Sequence, residues 1–207
     1  MMAGEFCVSL MLHSIVADGR CVRSHMINLV TIGGKKYQVD VGFGSGGPTH
    51  PLLLEHDKPS LNVAPNQQVR LVRESIPEST DREQKFWIYE KRNSEDDPFS
   101  PCYCFSEMEF LPQDFAVMNH YTSTARTSWF TYELVCVKML LSGDEKTIVG
   151  NVTLFQKNVK RVVDGKTEQL GELKSDEERI EALKKYLGVT FSEGEKKGIT
   201  KMVSAIS

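Results

Sequence analysis

A histidine and an aspartate flank a predicted β-hairpin and are the residues best placed for chemistry. Two strand-like runs, residues 25–32 and 35–42, are separated by Gly33-Gly34. Because glycine adopts positive φ angles without steric cost, Gly-Gly between two such runs predicts a two-residue I′ or II′ turn. His25 then begins the first strand of the hairpin, and Asp40 lies near the end of the second.

The predicted register puts these two side chains on one face of the sheet. Ile27 faces Asp40, and His25 is two residues before Ile27, so His25 and Asp40 are diagonal neighbours about 7–8 Å apart at their backbones. A buried carboxylate that accepts from one imidazole nitrogen fixes the tautomer and leaves the other nitrogen free as a base. The pair is two thirds of a nucleophilic triad. A purely structural His–Asp pair is the alternative.

The opposite face of the hairpin is expected to be its core face, because it carries six apolar or aromatic side chains. These residues are Met26, Val30, Ile32, Tyr37, Val39 and Val41. On the His25 face, Ile27 and Leu29 are also apolar, so the two charged partners have apolar neighbours.

Two motifs resemble ligand sites, but the residues around them argue against that function. Residues 42–47 (Gly-Phe-Gly-Ser-Gly-Gly) match G-x-G-x-x-G, but the third glycine must open a helix, and Pro-Thr-His-Pro follows at 48–51. The segment is therefore predicted to be a loop beside a site. Cys102 and Cys104 have no further ligands at zinc spacing, so we expect core thiols and no metal.

The run Asn119–Ser128 is rich in hydroxyl groups and contains one arginine, Arg126. Hydroxyls and backbone amides after a helix can bind a phosphate or a pantetheine amide. A polar connection between a helix and a strand has the same composition, and both interpretations stay open.

The composition excludes several classes of protein. The chain has 207 residues, of which 40% are hydrophobic and 26% charged, with a net charge of −3. This balance does not favour a nucleic-acid clamp, and without a run of about 18 apolar residues we expect no membrane segment. Five cysteines in a chain of this length predict reduced thiols and a cytoplasmic protein.

Many strands with few helices indicate the α+β class. A helix at 112–120 follows from apolar spacing, and a second after Ser175 follows from a capping box with Glu178 and a C′ glycine at Gly188. A polar, proline-bearing break at 94–101 predicts a surface loop. The other strand-like runs are residues 68–73, 85–90, 102–105, 128–141, 147–156 and 159–163.

Two segments carry a resemblance to a known family. Residues 24–30 (Ser-His-Met-Ile-Asn-Leu-Val) and 37–44 (Tyr-Gln-Val-Asp-Val-Gly-Phe-Gly) resemble the central motif of the arylamine N-acetyltransferases, in a fungal-type version. The resemblance continues through Phe115 to Phe130 and into the terminal helix, so it spans roughly residues 24–190.

The resemblance implies a Cys-His-Asp enzyme that moves an acetyl group from acetyl-CoA to an aromatic amine or hydrazine. It assigns His25 and Asp40 to the triad, in agreement with the register. Ser24 and Phe43 are expected to bind the substrate amine. Tyr121 and Thr127 fall where the family contacts CoA. It also implies a cysteine-proteinase-like fold, with an antiparallel β-barrel followed by a small α/β lid.

The sequence departs from the family in its nucleophile. The family's cysteine lies in an Arg-Gly-Gly-x-Cys motif, several dozen residues before the histidine, and no such motif precedes His25. We therefore expect an N-terminally truncated form with an atypical segment 1–23, a barrel domain at 24–105 and a lid domain at 106–207. Without the helical domain it should expose apolar surface and self-associate.

The sequence is compatible with three functions. The first is an acetyltransferase, although without the thiolate the chain is expected not to form an acetyl-enzyme unless Cys7 folds over the barrel. The second is an inactive form that only binds CoA or a partner protein. The third, a cysteine hydrolase or transglutaminase-like enzyme, has no support beyond the shared triad chemistry.

Overall fold

The computed structural model describes residues 5–7, 25–199 and 202–206, with residues 5–7 described by their backbone. The chain divides into two compact units, residues 1–119 and 120–207. In the described residues, antiparallel pairing joins the neighbouring strands of three four-stranded sheets, and helices are few. The predicted α+β class is thereby confirmed.

The first unit contains two of the sheets. One has the order β1-β2-β3-β4 and the other the order β5-β6-β7-β8. Their strands are β1 (Glu5–Cys7), β2 (Asn28–Ile32), β3 (Lys35–Val39), β4 (Leu52–Leu53), β5 (Ser60–Val63), β6 (Gln67–Glu74), β7 (Phe86–Arg92) and β8 (Ser100–Phe105). The helix α1 (Pro112–Thr124) crosses the boundary between the units.

Side chains from both sheets of the first unit form its main core. The buried members are Ile27, Leu29, Leu52, Val69, Leu71, Trp87, Tyr89, Tyr103 and Phe105. Phe43, Leu54 and Cys102 pack at the edge of this cluster. Because the cluster takes alternate residues, Ile27 and Leu29 from the hairpin and Trp87 and Tyr89 from β7, burial fixes which face of each strand points inward. The other face of the second sheet packs a smaller cluster around Phe86 and Ile88.

The hairpin of β2 and β3 has the predicted register and turn. Leu29 pairs with Gln38, and both turn glycines have positive φ, 58° at Gly33 and 75° at Gly34. Positive φ at both central positions is the geometry of a type I′ turn, whose twist matches that of the flanking strands.

The prediction of the core face is wrong in the described residues. Met26, Ile32 and Val41 are 52%, 62% and 94% exposed. The face with Ile27, Leu29 and Gln38 is the buried one, since it packs in the cluster shared with the second sheet. Apolar content alone therefore selected the wrong side, because the sequence does not show which face another sheet will cover.

The second unit consists of one sheet with two helices. Its strands lie in the order β12-β11-β10-β9 and are β9 (Val135–Leu141), β10 (Ile148–Phe155), β11 (Asn158–Val163) and β12 (Lys166–Glu172). Helix α2 (Asp176–Ala182) continues as a π-helical turn (Leu183–Leu187), and α3 (Glu193–Ile199) follows. Val152, Leu154, Val159 and Leu183 are among its core residues.

Both predicted ends of the terminal helix are confirmed. The Ser175 hydroxyl accepts from the Glu178 amide at 3.3 Å, and Gly188 has a φ of 77° at the C-terminus. Glu178 reaches back to the amide of Lys174 instead of that of Ser175. The Ser175 hydroxyl therefore satisfies one orphan amide of the first turn, and the Glu178 carboxylate binds the chain one residue before the N-cap.

Some boundaries differ from the prediction. The run 128–141 begins with a 3₁₀ turn (Trp129–Thr131), and its strand starts only at Val135. The Ser128 hydroxyl donates to the Thr122 carbonyl and the Thr131 hydroxyl to the Ser128 carbonyl, which stabilises the turn locally. The predicted loop at 94–101 is shorter, since β8 begins at Ser100. The prediction missed β1, β4, β5, β12 and α3.

No helix in the described part of the chain is long and apolar enough to cross a membrane.

The turn glycines lead to the first test. Gly34→Val should lower the free energy of unfolding by about 1–2 kcal/mol, because a β-branched side chain disfavours the left-handed region. Gly34→Asn is the matched control, since asparagine tolerates that region. Denaturant unfolding of both variants measures the difference. Equal stability of the two variants would contradict the I′ assignment.

Candidate active site

His25 and Asp40 meet at the open end of the β2–β3 hairpin. His25 lies before the first residue of β2, and Asp40 follows the last residue of β3. The His25 Nε2 atom lies 2.9 Å from Asp40 Oδ1. The predicted approach of the two side chains is therefore confirmed.

The Asp40 carboxylate is buried and held in its ionised form. Its side chain has no exposed area, and its Oδ1 also accepts from the Gly42 amide at 3.0 Å. Burial by itself raises the pKa of Asp40. The His25 hydrogen bond and charge and the Gly42 amide together outweigh that effect, so the pKa lies below its ordinary value of 3.8.

The hydrogen bond to Asp40 decides which imidazole nitrogen can act as a base. An ionised carboxylate can only accept, so Nε2 carries the proton that His25 donates. In the neutral ring Nδ1 then carries the lone pair. The His25 side chain is 23% exposed, so this nitrogen belongs to a ring that solvent reaches in part.

Aromatic rings surround the imidazole. The Phe43 ring centroid is 5.8 Å from that of His25 in an edge-on arrangement, and the Tyr103 centroid is 6.4 Å away. Phe43 and Tyr103 also pack edge-on at 4.9 Å. A Cβ on Gly42 would lie 3.2 Å from His25 Cε1, so the backbone also closes on the ring. These contacts restrict the ring's orientation from several sides.

Tyr103 is a site residue that the sequence did not indicate. It is fully buried, stacks on Tyr89 at 4.7 Å, and its hydroxyl accepts from Gln38 Nε2 at 2.6 Å. Burial, with the nearby Asp40 charge, raises the pKa of Tyr103 well above its usual range. Tyr103 therefore stays a neutral phenol beside the carboxylate. Its position on β8, far from the hairpin in sequence, gave no signal.

Residues 42–47, here called the glycine loop, place Phe43 against the imidazole. The Gly47 amide donates to the Gly44 carbonyl at 3.0 Å, and Gly44 has a φ of 88°. Asn62 Nδ2 donates to the Gly47 carbonyl at 3.0 Å, and the Tyr89 hydroxyl donates to the Gly46 carbonyl at the same distance. No helix follows the loop, as predicted from the prolines at 48 and 51.

The described thiols lack the environment of a nucleophile. Burial raises the pKa of Cys102, and the nearby Lys91 charge offsets only part of that rise. Burial also raises the pKa of Cys136, while Cys104 is fully buried. A reactive cysteine needs the opposite shift. No group of three potential metal ligands occurs among the described residues.

Of three N-terminal residues named above, only the Cys7 backbone belongs to the described part of the chain. Cys7 ends β1, where its backbone pairs with Leu29. Ser24, expected to bind the substrate amine, lies outside the described residues, and so does Cys21.

Tyr121 and Thr127, expected to contact CoA, come together in the second unit. The Tyr121 hydroxyl lies 3.2 Å from Thr127 Oγ1, in an exposed position. The Thr124 hydroxyl donates to the His120 carbonyl at 2.5 Å, so part of this hydroxyl-rich run satisfies carbonyls at the end of α1.

The site is thus a histidine oriented by a buried aspartate, at the open end of a hairpin in an α+β chain of antiparallel sheets. A sequence model of the N-acetyltransferase family matches residues 10–195. The chain belongs to the arylamine N-acetyltransferase family.

Curated relatives are fungal. N-malonyltransferase FDB2 of Gibberella moniliformis is 36% identical over 183 residues, which cover 85% of this chain and 53% of the relative. The same enzyme of Fusarium pseudograminearum is 36% identical over 184 residues, with the same coverage. The chain therefore spans about half the length of the curated relatives it matches.

Solved structures of bacterial arylamine N-acetyltransferases share the fold. The Mycobacterium abscessus protein has a TM-score of 0.78 at 14% identity, over 94% of this chain and 64% of its own. The Salmonella typhimurium protein has a TM-score of 0.74 at 21% identity, with 95% and 68% covered. The Mycobacterium marinum protein in complex with CoA has a TM-score of 0.71 at 21% identity, with 95% and 67% covered.

The charge on Asp40 leads to a pH-dependent prediction. Because its pKa is lowered in the fold, ionised Asp40 contributes stability above its ordinary pKa of 3.8, and this contribution is lost as the pH falls through the folded-state value. Asp40→Asn should therefore cost about 1–3 kcal/mol of unfolding free energy at pH 7. The deficit relative to the natural chain should shrink below about pH 4.

Denaturant unfolding from pH 7 to pH 3 measures this difference. Asp96→Asn, at an exposed position, is the matched control and should leave stability unchanged at each pH. A deficit for Asp40→Asn that does not vary with pH would show that charge is not what Asp40 contributes.

Proposed function

We propose that the His25–Asp40 pair is the base of an acyltransferase site that moves an acyl group from acyl-CoA to an aromatic amine or hydrazine. The observation that supports this role is the hydrogen bond from His25 Nε2 to the buried Asp40 carboxylate, which leaves Nδ1 as the basic nitrogen. Family membership supports the reaction class.

The proposed reaction has two acyl transfers. A cysteine thiolate, paired with the imidazolium, attacks the thioester carbonyl, the C–S bond to CoA breaks, and the CoA sulfur leaves with the imidazolium proton. The amine then attacks the acyl-cysteine while neutral His25 takes its proton. The cysteine leaves as a thiolate, and the pair is restored. Asp40 keeps the ring oriented and stabilises its charge in both steps.

Cys7 is the candidate nucleophile within the 207 residues if the N-terminal segment folds over the barrel; its backbone pairs with Leu29, four residues from His25. No Arg-Gly-Gly-x-Cys motif occurs in the 207 residues. Burial raises the pKa values of Cys102 and Cys136, which disfavours a thiolate at either position. These neutral thiols favour a second function, in which the chain binds CoA or a partner protein without forming an acyl-enzyme. Detection of the acyl-enzyme separates the two.

The substrates follow from the family and the relatives. The resemblance implies acetyl-CoA as the acyl donor. The relatives named N-malonyltransferases favour malonyl-CoA instead, so we propose both acyl donors. We place the amine against Phe43, with Ser24 beside it. We also propose that the two sheets of the first unit form the barrel and the second unit the lid.

CoA is proposed to contact Tyr121 and Thr127. Their hydroxyls lie 3.2 Å apart in an exposed position, where one ligand group can contact both. The chemistry of thioester and amine uses no metal, and CoA is available in the cytoplasm, where we place the protein. Self-association through the exposed Met26, Ile32 and Val41 face is a further expectation.

The acyl-enzyme prediction tests the reaction. When the purified chain is incubated with acetyl-CoA or malonyl-CoA, a transferase gains the mass of one acyl group on Cys7, located by peptide mapping. His25→Ala should abolish the adduct, because the thiolate loses its imidazolium partner. Lys35→Ala, at the exposed first residue of β3, is the control and should keep it. Absence of any adduct in the natural chain would favour the binding function.

The CoA contact has its own test. Tyr121→Ala or Thr127→Ala should weaken CoA binding by about threefold to tenfold, because each removes one hydroxyl with a hydrogen-bond contribution of about 1 kcal/mol. Calorimetric titration with CoA gives the affinity, and a melting curve checks the fold. A large loss of stability with unchanged affinity would assign these hydroxyls to the helix end instead.

A further inference from the structure

Lys91 continues the buried row of strand β7. Side chains alternate along a strand, so Trp87, Tyr89 and Lys91 share one face of the sheet. Trp87 and Tyr89 belong to the main core of the first unit. Lys91 pairs with Val69, which is fully buried in the same cluster. A lysine therefore occupies a position on the core face, at the end where the glycine loop covers the sheet.

The Lys91 ammonium lies on the glycine loop. Its Nζ is 3.4 Å from the point where a Cβ on Gly46 would stand, and Phe43 Cε1 is 3.5 Å from the same point. The Phe43 ring in turn packs edge-on against the imidazole of His25. The ammonium and the proposed base are thus connected through one aromatic side chain and lie along one short loop.

The ammonium has no hydrogen bond or ion pair with any described residue. Its chain neighbours are engaged elsewhere, since Glu90 accepts from Arg70 and Arg92 donates to Gln68. The nearest thiol, Cys102, is neutral because burial raises its pKa. Lys91 as a residue is partly buried, and its three donors have no acceptor among the described residues. Such a group gains from an anionic ligand.

We infer that Lys91 binds the free carboxylate of a dicarboxylic acyl group, a malonyl group, while His25 serves the reacting carbonyl. This inference rests on the proposed function, and it names the feature that distinguishes malonyl-CoA from acetyl-CoA. A malonyl carboxylate is separated from the thioester carbonyl by one methylene. Phe43 and Gly46 provide the apolar surface between the base and the ammonium, against which that methylene would pack.

The test compares two donors in the absence of amine. Dissociation constants of malonyl-CoA and acetyl-CoA are measured by calorimetry for the natural chain, Lys91→Met and Lys91→Arg. Lys91→Met keeps the length of the side chain and removes its charge. It should weaken malonyl-CoA binding by about tenfold or more, the range of a charge-assisted hydrogen bond, and leave acetyl-CoA binding unchanged. Lys91→Arg should retain part of the preference.

Lys85→Met is the matched control. Lys85 is exposed and lies just before β7, so the same change there should alter neither dissociation constant. Three results would overturn the inference. The natural chain could bind malonyl-CoA no better than acetyl-CoA. Lys91→Met could weaken both donors equally or neither. Or Lys91→Met could weaken 4-aminobenzoate relative to aniline and spare malonyl-CoA, which would assign the carboxylate to the amine.

These outcomes are independent of catalysis. If no acyl-enzyme forms, the proposed transfer fails, but the donor preference and its loss in Lys91→Met remain measurable in the binding experiment. If an acyl-enzyme forms and the two donors bind alike, the transfer stands and the role of Lys91 fails.

Discussion

The ionised carboxylate of Asp40 is the constraint around which the site is built. A carboxylate with no exposed side-chain area loses its hydration, and only strong hydrogen bonds keep it charged. His25 and the Gly42 amide supply those bonds to one oxygen, Oδ1. The position of the imidazole and the path of the chain after β3 are therefore set by the same acceptor atom. If either donor is displaced, the free-energy cost of keeping the buried carboxylate ionised rises.

The second sheet supplies the walls that keep this acceptor dry. Tyr103 and Tyr89 stack beneath the glycine loop, and Tyr89 holds the loop by the Gly46 carbonyl. Both phenols stay neutral, since burial raises the pKa of each. The same walls strengthen the attraction between His25 and Asp40, because a low local dielectric weakens screening. The sheet that buries the charge thus also makes its pairing effective.

Local chemistry could be predicted from the sequence, and long-range packing could not. The Gly33-Gly34 turn fixes the pairing of the two strands, so the approach of His25 and Asp40 followed from residue numbers. The core face was predicted wrongly, because it is set by which face the second sheet covers. That depends on long-range packing, such as that of Ile27 with residues of β6 to β8. Tyr103 and Lys91 were missed for the same reason. Alternation along β7 and β8 predicts which residues share a face of the sheet. The sequence does not show which other residues pack against that face.

The free-energy cost of burying the His25–Asp40 pair is relevant to the choice between the two proposed functions. A buried ion pair contributes little net stability, and well-packed apolar residues in its place are often neutral or stabilising. A protein that only bound CoA would gain nothing from an ionised aspartate beneath a histidine in the first unit. The pair does have a use if an imidazole must receive and return protons at Nδ1, because Asp40 then fixes the tautomer before each step. The pair is thus the arrangement that the proposed transfer requires, and the identity of the attacking sulfur becomes the decisive question.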